Sequence, residues 1–324
     1  MEKGKYVIGI DAGGTKVAYG LFDRDGVIVD KMQHPADPDA DGPAFADQMI
    51  RSVQTLRERN HLTPDDIAGI GVGMPSYIIQ DKGLIYLTSA LPKVRDFYMR
   101  DYMQERLGVP IVLENDSNGA ALAEHRRGAG RGTEHMVYVS ASTGLGSGLI
   151  INGKIFRGSY GFAGETGHML MTPDEGIMCG CRNRGCFMSY GSGKYIVEHI
   201  KNRLDEGAQS ELAKVDRDSL SAVDLLAACR KGDTFALEML DKMAHAFAVC
   251  IYNIYEMLNI NVYVFGGGLT NFGDLLFSRI RREFDRYNHI DLPVEFRFAE
   301  LKEDFGIIGA AEAFLEEYPA VGVE

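Results

Sequence analysis

One layout occurs twice in this chain and limits its fold more than any other feature. Residues 5–31, KYVIGIDAGGTKVAYGLFDRDGVIVDK, set apolar, β-branched runs on either side of glycine turns. The pattern predicts three short strands in succession, with an acid and two glycines at the first bend. About 130 residues downstream, HMVYVSASTGLGSGLIINGKIF at 135–156 repeats it as strand, small-residue turn, strand, glycine turn, strand. A chain of 324 residues with 45% hydrophobic content can build a core for each copy. The expectation is a duplicated α/β protein.

The intervening sequence supports this. Helical periodicity covers 43–59 and 94–107, with strands at IAGIGVGMP and VPIVLEND between and after them. Further helices are expected at 193–207, 221–231, 234–258 and 272–287, strands at INVYVFGGGL and VEFRFAE, and a terminal helix at GIIGAAEAFLEEY. Strands alternating with helices imply an α/β class. No Ser/Gly-rich or Pro-rich linker separates the halves, so they are expected to meet across a cleft.

Net charge argues against two classes of partner. At −12, the chain repels a phosphate backbone or an anionic membrane surface, so neither nucleic acid nor membrane is expected. No apolar run reaches the roughly 18 residues of a spanning helix, and MEKGKYVIGIDAGGT has no signal-peptide core. A cytoplasmic protein is expected.

Three glycine turns follow strands: Asp11-Ala12-Gly13-Gly14-Thr15-Lys16, STGLGSG with Thr143, Gly144 and Gly146, and VFGGGL with Gly267 and Gly268. Glycine lets backbone approach a ligand closely, and the exposed amides of such turns suit phosphate. Two of the turns sit at matching places in the repeat, an arrangement that suits a nucleotide held between the halves. Neither a P-loop nor a G-x-G-x-x-G fingerprint after the first strand is present.

Residues 165–188, ETGHMLMTPDEGIMCGCRNRGCFM, hold His168 and three of the five cysteines, Cys179, Cys181 and Cys186. Structural zinc takes three thiolates and one imidazole in a closed tetrahedron. Buried free thiols are the alternative, but MCGCRNRGC offers little apolar surface to bury them. Structural Zn²⁺ is therefore the expected occupant. Cys229 and Cys250 lie in helical stretches and are expected in the core.

These motifs together resemble the sugar kinase, heat-shock chaperone and actin superfamily, and within it the ROK family of bacterial sugar kinases and related repressors. The resemblance runs from DAGGT to GAAEAF, with GETGH followed by CGCRNRGC as its most specific part. It implies two duplicated actin-like (ribonuclease H-like) domains flanking a nucleotide and sugar cleft. The N-terminal α/β domain would be 1–116 plus 307–324, and the C-terminal one, 117–306, would carry the zinc site. It implies ATP with Mg²⁺ and a monosaccharide as ligands, phosphorylation at O6 by default, and a homodimer. Asp116 matches the catalytic base, and Asn115, Asp116, Glu165 and His168 match sugar-binding positions. Asp11 matches the acid that holds Mg²⁺ near phosphates carried by Gly13, Gly14, Thr15, Lys16, Thr143, Gly144, Gly146, Gly267 and Gly268. His168 would serve zinc and sugar together, the metal acting as a brace that activates no water.

The pattern breaks at three places. Met188 stands where the family usually has a sugar-binding glutamate, Ala90 where many members have asparagine, and Ser76 where glycine is common. Two of these changes remove polar groups, so the sugar site is expected to be less polar than a glucokinase's. The segment 73–93 looks more like allose kinases. A sugar-binding sensor or degenerate kinase with little activity is the alternative to an ATP-dependent hexose kinase. A family repressor would need a DNA-binding domain ahead of DAGGT; with DAGGT at residue 11, the repressor reading is not the expected one.

Overall fold

A computed structural model describes residues 4–88, 90–290 and 292–321. The chain divides into two compact units. One comprises the chain through Tyr138, Gly148–Gly164 and the chain from Ala299 onward; the other comprises Val139–Ser147 and Glu165–Phe298.

The first bend is a hairpin. Strands β1 (Tyr6–Ala12) and β2 (Lys16–Phe22) pair antiparallel with Asp11 opposite Ala18, and β3 (Ile28–Pro35) continues antiparallel on β2. Helix α1 (Gly42–Arg59) starts where the Asp41 carboxylate accepts from the Ala44 N–H, and it buries Phe45, Met49, Val53 and Leu56. Strand β4 (Ile67–Met74) then joins β1 in parallel. After the hairpin of β5 (Ser76–Ile79) with β6 (Leu84–Thr88) and helix α2 (Met99–Leu107), β7 (Ile111–Asn115) pairs parallel with β4 and runs into α3 (Asp116–Arg127).

The repeat follows with β8 (Met136–Ala141), β9 (Leu145–Ile151) and β10 (Lys154–Ile155). Helices α4 (Met188–Gly191), α5 (Gly193–Asp205), α6 (Ala222–Arg230) and α7 (Thr234–Leu258) precede β11 (Val262–Gly266). Helix α8 (Asp274–Tyr287), β12 (Glu295–Phe298) and α9 (Phe305–Glu317) complete the elements. The two sheets run β3-β2-β1-β4-β7 and β10-β9-β8-β11-β12. In both, the third strand of the repeat leads, then the second, first and fourth, so the duplication read from sequence is a duplication of topology.

The expected helix over 94–107 needs correction, because α2 starts only at Met99. Phe97 exchanges backbone hydrogen bonds of 2.9 and 3.1 Å with Ile85 instead, and Asp96 adopts a positive φ of 49°. A residue paired to a strand cannot also give its amide to a helix.

Helix α9 lies directly on the first sheet. A Cβ on Gly71 of β4 would overlap the Ala310 carbonyl oxygen, and one on Gly9 of β1 would overlap that of Ile307. Both strand positions need glycine for this approach. Gly71→Ala is expected to lower stability by about 1 to 3 kcal/mol or more, because packed backbone cannot give way to an added methyl. Urea unfolding followed by circular dichroism reads this, and an unchanged midpoint would mean that α9 can lift off without cost.

Helix α3 also packs on α9, with Gly309 against Gly119. The buried Glu124 carboxylate of α3 accepts the N–H groups of Ala129 (2.8 Å), Glu300 (3.1 Å) and Leu301 (2.9 Å). These contacts place α3 in the first unit, whereas the sequence reading starts its second domain at residue 117. Cys229 and Cys250 are buried, and burial pushes their thiols up to about 11 and about 12. Among the described residues no helix is long and apolar enough to cross a membrane.

Candidate active site and metal centre

In the first unit, Asp11 lies near the end of β1, beside the turn through Gly13, Gly14 and Thr15. The Gly13 N–H donates to the Lys16 carbonyl at 3.0 Å, closing the hairpin, and the Thr15 carbonyl accepts from Ala36 at 3.0 Å. A side chain on Gly14 would press on Ala90, whose Cβ lies 2.8 Å from the place a Gly14 Cβ would take. Ala90 therefore sits against the phosphate-type turn. Gly306, in the first turn of α9, abuts the Asp11 carboxylate, leaving no space there for a Cβ.

Asp116 opens α3, yet it is Asn115 that caps the helix. The Asn115 Oδ1 accepts from Ser117 N–H at 2.9 Å and Asn118 N–H at 3.3 Å, while its Nδ2 donates to the Ser76 carbonyl at 3.3 Å. The Asp116 Oδ1 accepts the Ser117 N–H at 2.8 Å, and the residue keeps access to solvent. Even so, the protein packed around its carboxyl raises it above the ordinary aspartate value, and the Ser117 N–H works in the opposite direction. Burial first, and then the charge of Asp116, push Asp11 up to about 6, with Lys16 opposing. The two carboxylates thus feel each other. Ser76 turns its hydroxyl inward to the Met74 carbonyl at 3.3 Å.

Behind Asp116 lies a buried ion pair that sequence reading missed. Glu114, fully buried near the end of β7, accepts Arg157 Nε at 2.7 Å, the Asn118 amide at 2.9 Å and the Asn115 N–H at 2.9 Å. Removing one member of such a pair leaves the other charge buried without compensation. The pair fixes the junction from which Asn115 and Asp116 project.

In the second unit, His168, Cys179, Cys181 and Cys186 bring one ligand atom each to within 4.8 Å of one another. His168 Nδ1 is 3.6 Å from Cys179 Sγ, and the sulfurs of Cys181 and Cys186 are 3.5 Å apart. Thiolates around tetrahedral zinc stand about 3.8 Å apart, given Zn–S bonds of about 2.3 Å. The donor set and its spacing fit Zn²⁺. Burial holds the His168 imidazole below its ordinary pKa, toward the neutral form that ligates metal. Its other nitrogen, Nε2, faces Glu165 at 4.0 Å. Met188 opens α4 two residues after Cys186, and its Cε lies 2.8 Å from where a Gly167 Cβ would be. Its thioether packs against the turn that carries Glu165 and His168.

The second unit also contains a cavity of about 440 Å³. Ser142, Thr143 and Gly268 line it, as do Lys194, Val197, Glu198 and Lys201 of α5, the stretch from Leu220 to Val223, Leu226, and Leu269 to Phe272 apart from Thr270. Gly144, Gly146 and Gly267 are outside the lining. Gly267, at φ 90°, instead lets β11 turn against the Ala141 carbonyl. Apolar walls with a few charged groups, at this size, suit a nucleoside. Sequence reading found the glycine turns and the helices at 193–207 and 221–231, but not that α5 and α6 line this cavity, because their lining residues look like ordinary helix surface.

The family model described as the ROK family matches residues 7–317. A glucokinase from Halalkalibacterium halodurans is 33% identical over 310 residues, covering 94% of this chain and 93% of that protein. Among solved structures, the ROK hexokinase from Thermus thermophilus is 28% identical with a TM-score of 0.81, covering 97% of this chain and 99% of the other. The ROK family glucokinase from Streptomyces griseus in complex with glucose and AMPPNP is 29% identical with a TM-score of 0.76, covering 95% and 98%. These likenesses span both repeats, so the duplicated sheets are those of the actin-like fold, and the chain belongs to the ROK family.

Proposed function

We propose that the protein is an ATP-dependent hexose kinase in which Asp116 is the general base. The observation that carries this reading is the division of work between neighbours: Asn115 caps α3, so the Asp116 carboxylate, which takes the Ser117 N–H on Oδ1, is not consumed by the cap and lies where it senses Asp11. A sugar hydroxyl attacks the γ-phosphorus, the bond to the bridging oxygen breaks, and ADP departs with that electron pair. The hydroxyl proton goes to Asp116. Asp11 would hold Mg²⁺, which would supply neutralisation of phosphate charge, with Gly13, Gly14, Thr15 and Lys16 at the phosphates. Thr143 and Gly268 open onto the cavity assigned to the nucleoside, with Gly144, Gly146 and Gly267 shaping its turns. Asn115, Glu165 and His168 bind the sugar. His168 Nδ1, Cys179, Cys181 and Cys186 would hold Zn²⁺, which would supply rigidity and leave the His168 Nε2 for a sugar hydroxyl. Transfer to O6, a homodimer and a cytoplasmic setting complete the proposal.

Turnover of Mg-ATP with aldohexoses, ketohexoses and amino sugars tests it, read as ADP release. A panel in which no sugar stimulates release overturns the kinase reading in favour of the degenerate sensor, which Met188 and Ala90 favour. Titration of sugars by calorimetry would then detect a silent binder. Met188→Glu restores an acceptor against the Glu165–His168 turn, so glucose KM is expected to fall by roughly tenfold, the worth of one hydrogen bond of about 1 to 3 kcal/mol. An unchanged KM would remove Met188 from the sugar site.

A further inference from the structure

The feature that the catalytic reading leaves unused is the phenol of Tyr195. Helix α5 has two working faces. Lys194, Val197, Glu198 and Lys201, spaced i, i+3, i+4 and i+7, form the face that walls the 440 Å³ cavity. Tyr195 and His199, four apart, lie on another face, toward the metal loop. The buried Tyr195 Oη accepts the Gly180 N–H at 3.0 Å, the amide that directly follows Cys179. His199 Nε2 meets the Ser189 carbonyl of α4 at 2.9 Å, and its ring stacks on Tyr190 at 5.5 Å. At the head of α5, the N–H groups of Gly193 and Lys194 donate to the Ser142 and Thr143 carbonyls at 2.8 and 3.2 Å. One helix therefore holds a ligand of the metal clamp, a turn at the cavity and the cavity wall.

We propose that Tyr195 is a positioning residue which couples metal occupancy to nucleotide affinity: its phenol ties the Cys179–Gly180 backbone to the helix whose neighbouring face receives the nucleotide. This rests on the zinc and nucleotide assignments above. An outer partner that holds the backbone beside a ligating residue fixes the direction from which that ligand meets the ion, and loss of such outer partners typically costs about 10- to 100-fold in metal affinity. Linkage then requires that whatever factor zinc adds to nucleotide affinity, nucleotide adds to zinc affinity.

The test follows zinc release from the loaded protein into a chromophoric chelator, with and without a non-hydrolysable ATP analogue plus Mg²⁺. In the wild type, saturating nucleotide is expected to slow release about fivefold or more. In Tyr195→Phe, which keeps the ring and loses the hydroxyl, release is expected about tenfold faster, with the nucleotide effect shrinking to within about twofold. Calorimetry at saturating zinc should show a weaker nucleotide Kd in this variant, by about threefold or more, with an unchanged circular dichroism spectrum confirming the fold. Tyr195→Phe with wild-type release and wild-type nucleotide sensitivity overturns the proposal, and leaves the clamp and cavity assignments standing. A wild type that binds both ligands, each indifferent to the other, does the same. A protein that takes up no zinc overturns the clamp assignment and this proposal together; one that takes up zinc and no nucleotide overturns the cavity assignment with it.

Discussion

Asp116→Asn is expected to lower kcat by about 10²- to 10⁴-fold while sugar KM stays within a few-fold. That range is what a positioned proton acceptor contributes, and asparagine keeps the shape without accepting the proton. The helix should survive the change, because the cap belongs to Asn115 and the buried brace to Glu114 and Arg157. The pH profile supplies a second reading. Only the carboxylate accepts a proton, so kcat rises with pH through the pKa of Asp116. Burial places that limb above the ordinary aspartate value, with kcat lost as pH falls through it. The variant should lack the limb. Full turnover in the Asp116→Asn variant would assign the base elsewhere.

Asp11→Asn carries the second large effect, and it has two signs. The Asp11 carboxyl is pushed from the ordinary value of 3.8 up to about 6 by burial and by Asp116. An acid whose pKa is raised on folding opposes the folded state wherever it is ionised in both states, here above about pH 6. That penalty fades as pH falls and is gone below the unfolded value. The displacement corresponds to about 3 kcal/mol at neutral pH, an upper bound for the gain on neutralisation. The variant should therefore melt higher than wild type at about pH 7, with the difference vanishing near pH 4, around the unfolded value. Its kcat/KM for Mg-ATP should fall on the order of 10²-fold or more if Asp11 has the cation-holding role proposed for it. Calorimetric melts across this pH range decide the matter. A variant no more stable at neutral pH would show that Asp11 does not sit under strain from its surroundings.

Much of this molecule is legible in its sequence, for physical reasons that differ by element. Helix α7 matches its expected 234–258 because Ala, Leu and Met recur at helical spacing through its whole length. The cysteine loop is legible because donors able to hold one ion must be close in space, and here three of the four are close in sequence. The start of α2 is not, because its apolar residues fit a helical period as well as a strand bridge, and only the partner, Ile85, decides between them. The short β5–β6 hairpin is likewise hidden. Capping by Asn115 is a choice among three adjacent polar residues that propensity cannot rank. The mutual influence of Asp11 and Asp116 crosses about a hundred residues of chain, and the α5 cavity face consists of residues that any solvated helix could carry.

The packing of α9 on Gly9 and Gly71 has a consequence for how the protein is made. The first unit lacks a structural member until residues 305–317 have been synthesised, long after β1 and β4 have left the ribosome. At about 5 to 20 residues per second, the stretch after Tyr138 takes roughly 10 to 40 s to translate. During that interval the glycine-rich face of β1 and β4 stays uncovered, while Glu165–Phe298, continuous in sequence, can finish first. The half of the enzyme that is translated first is completed last.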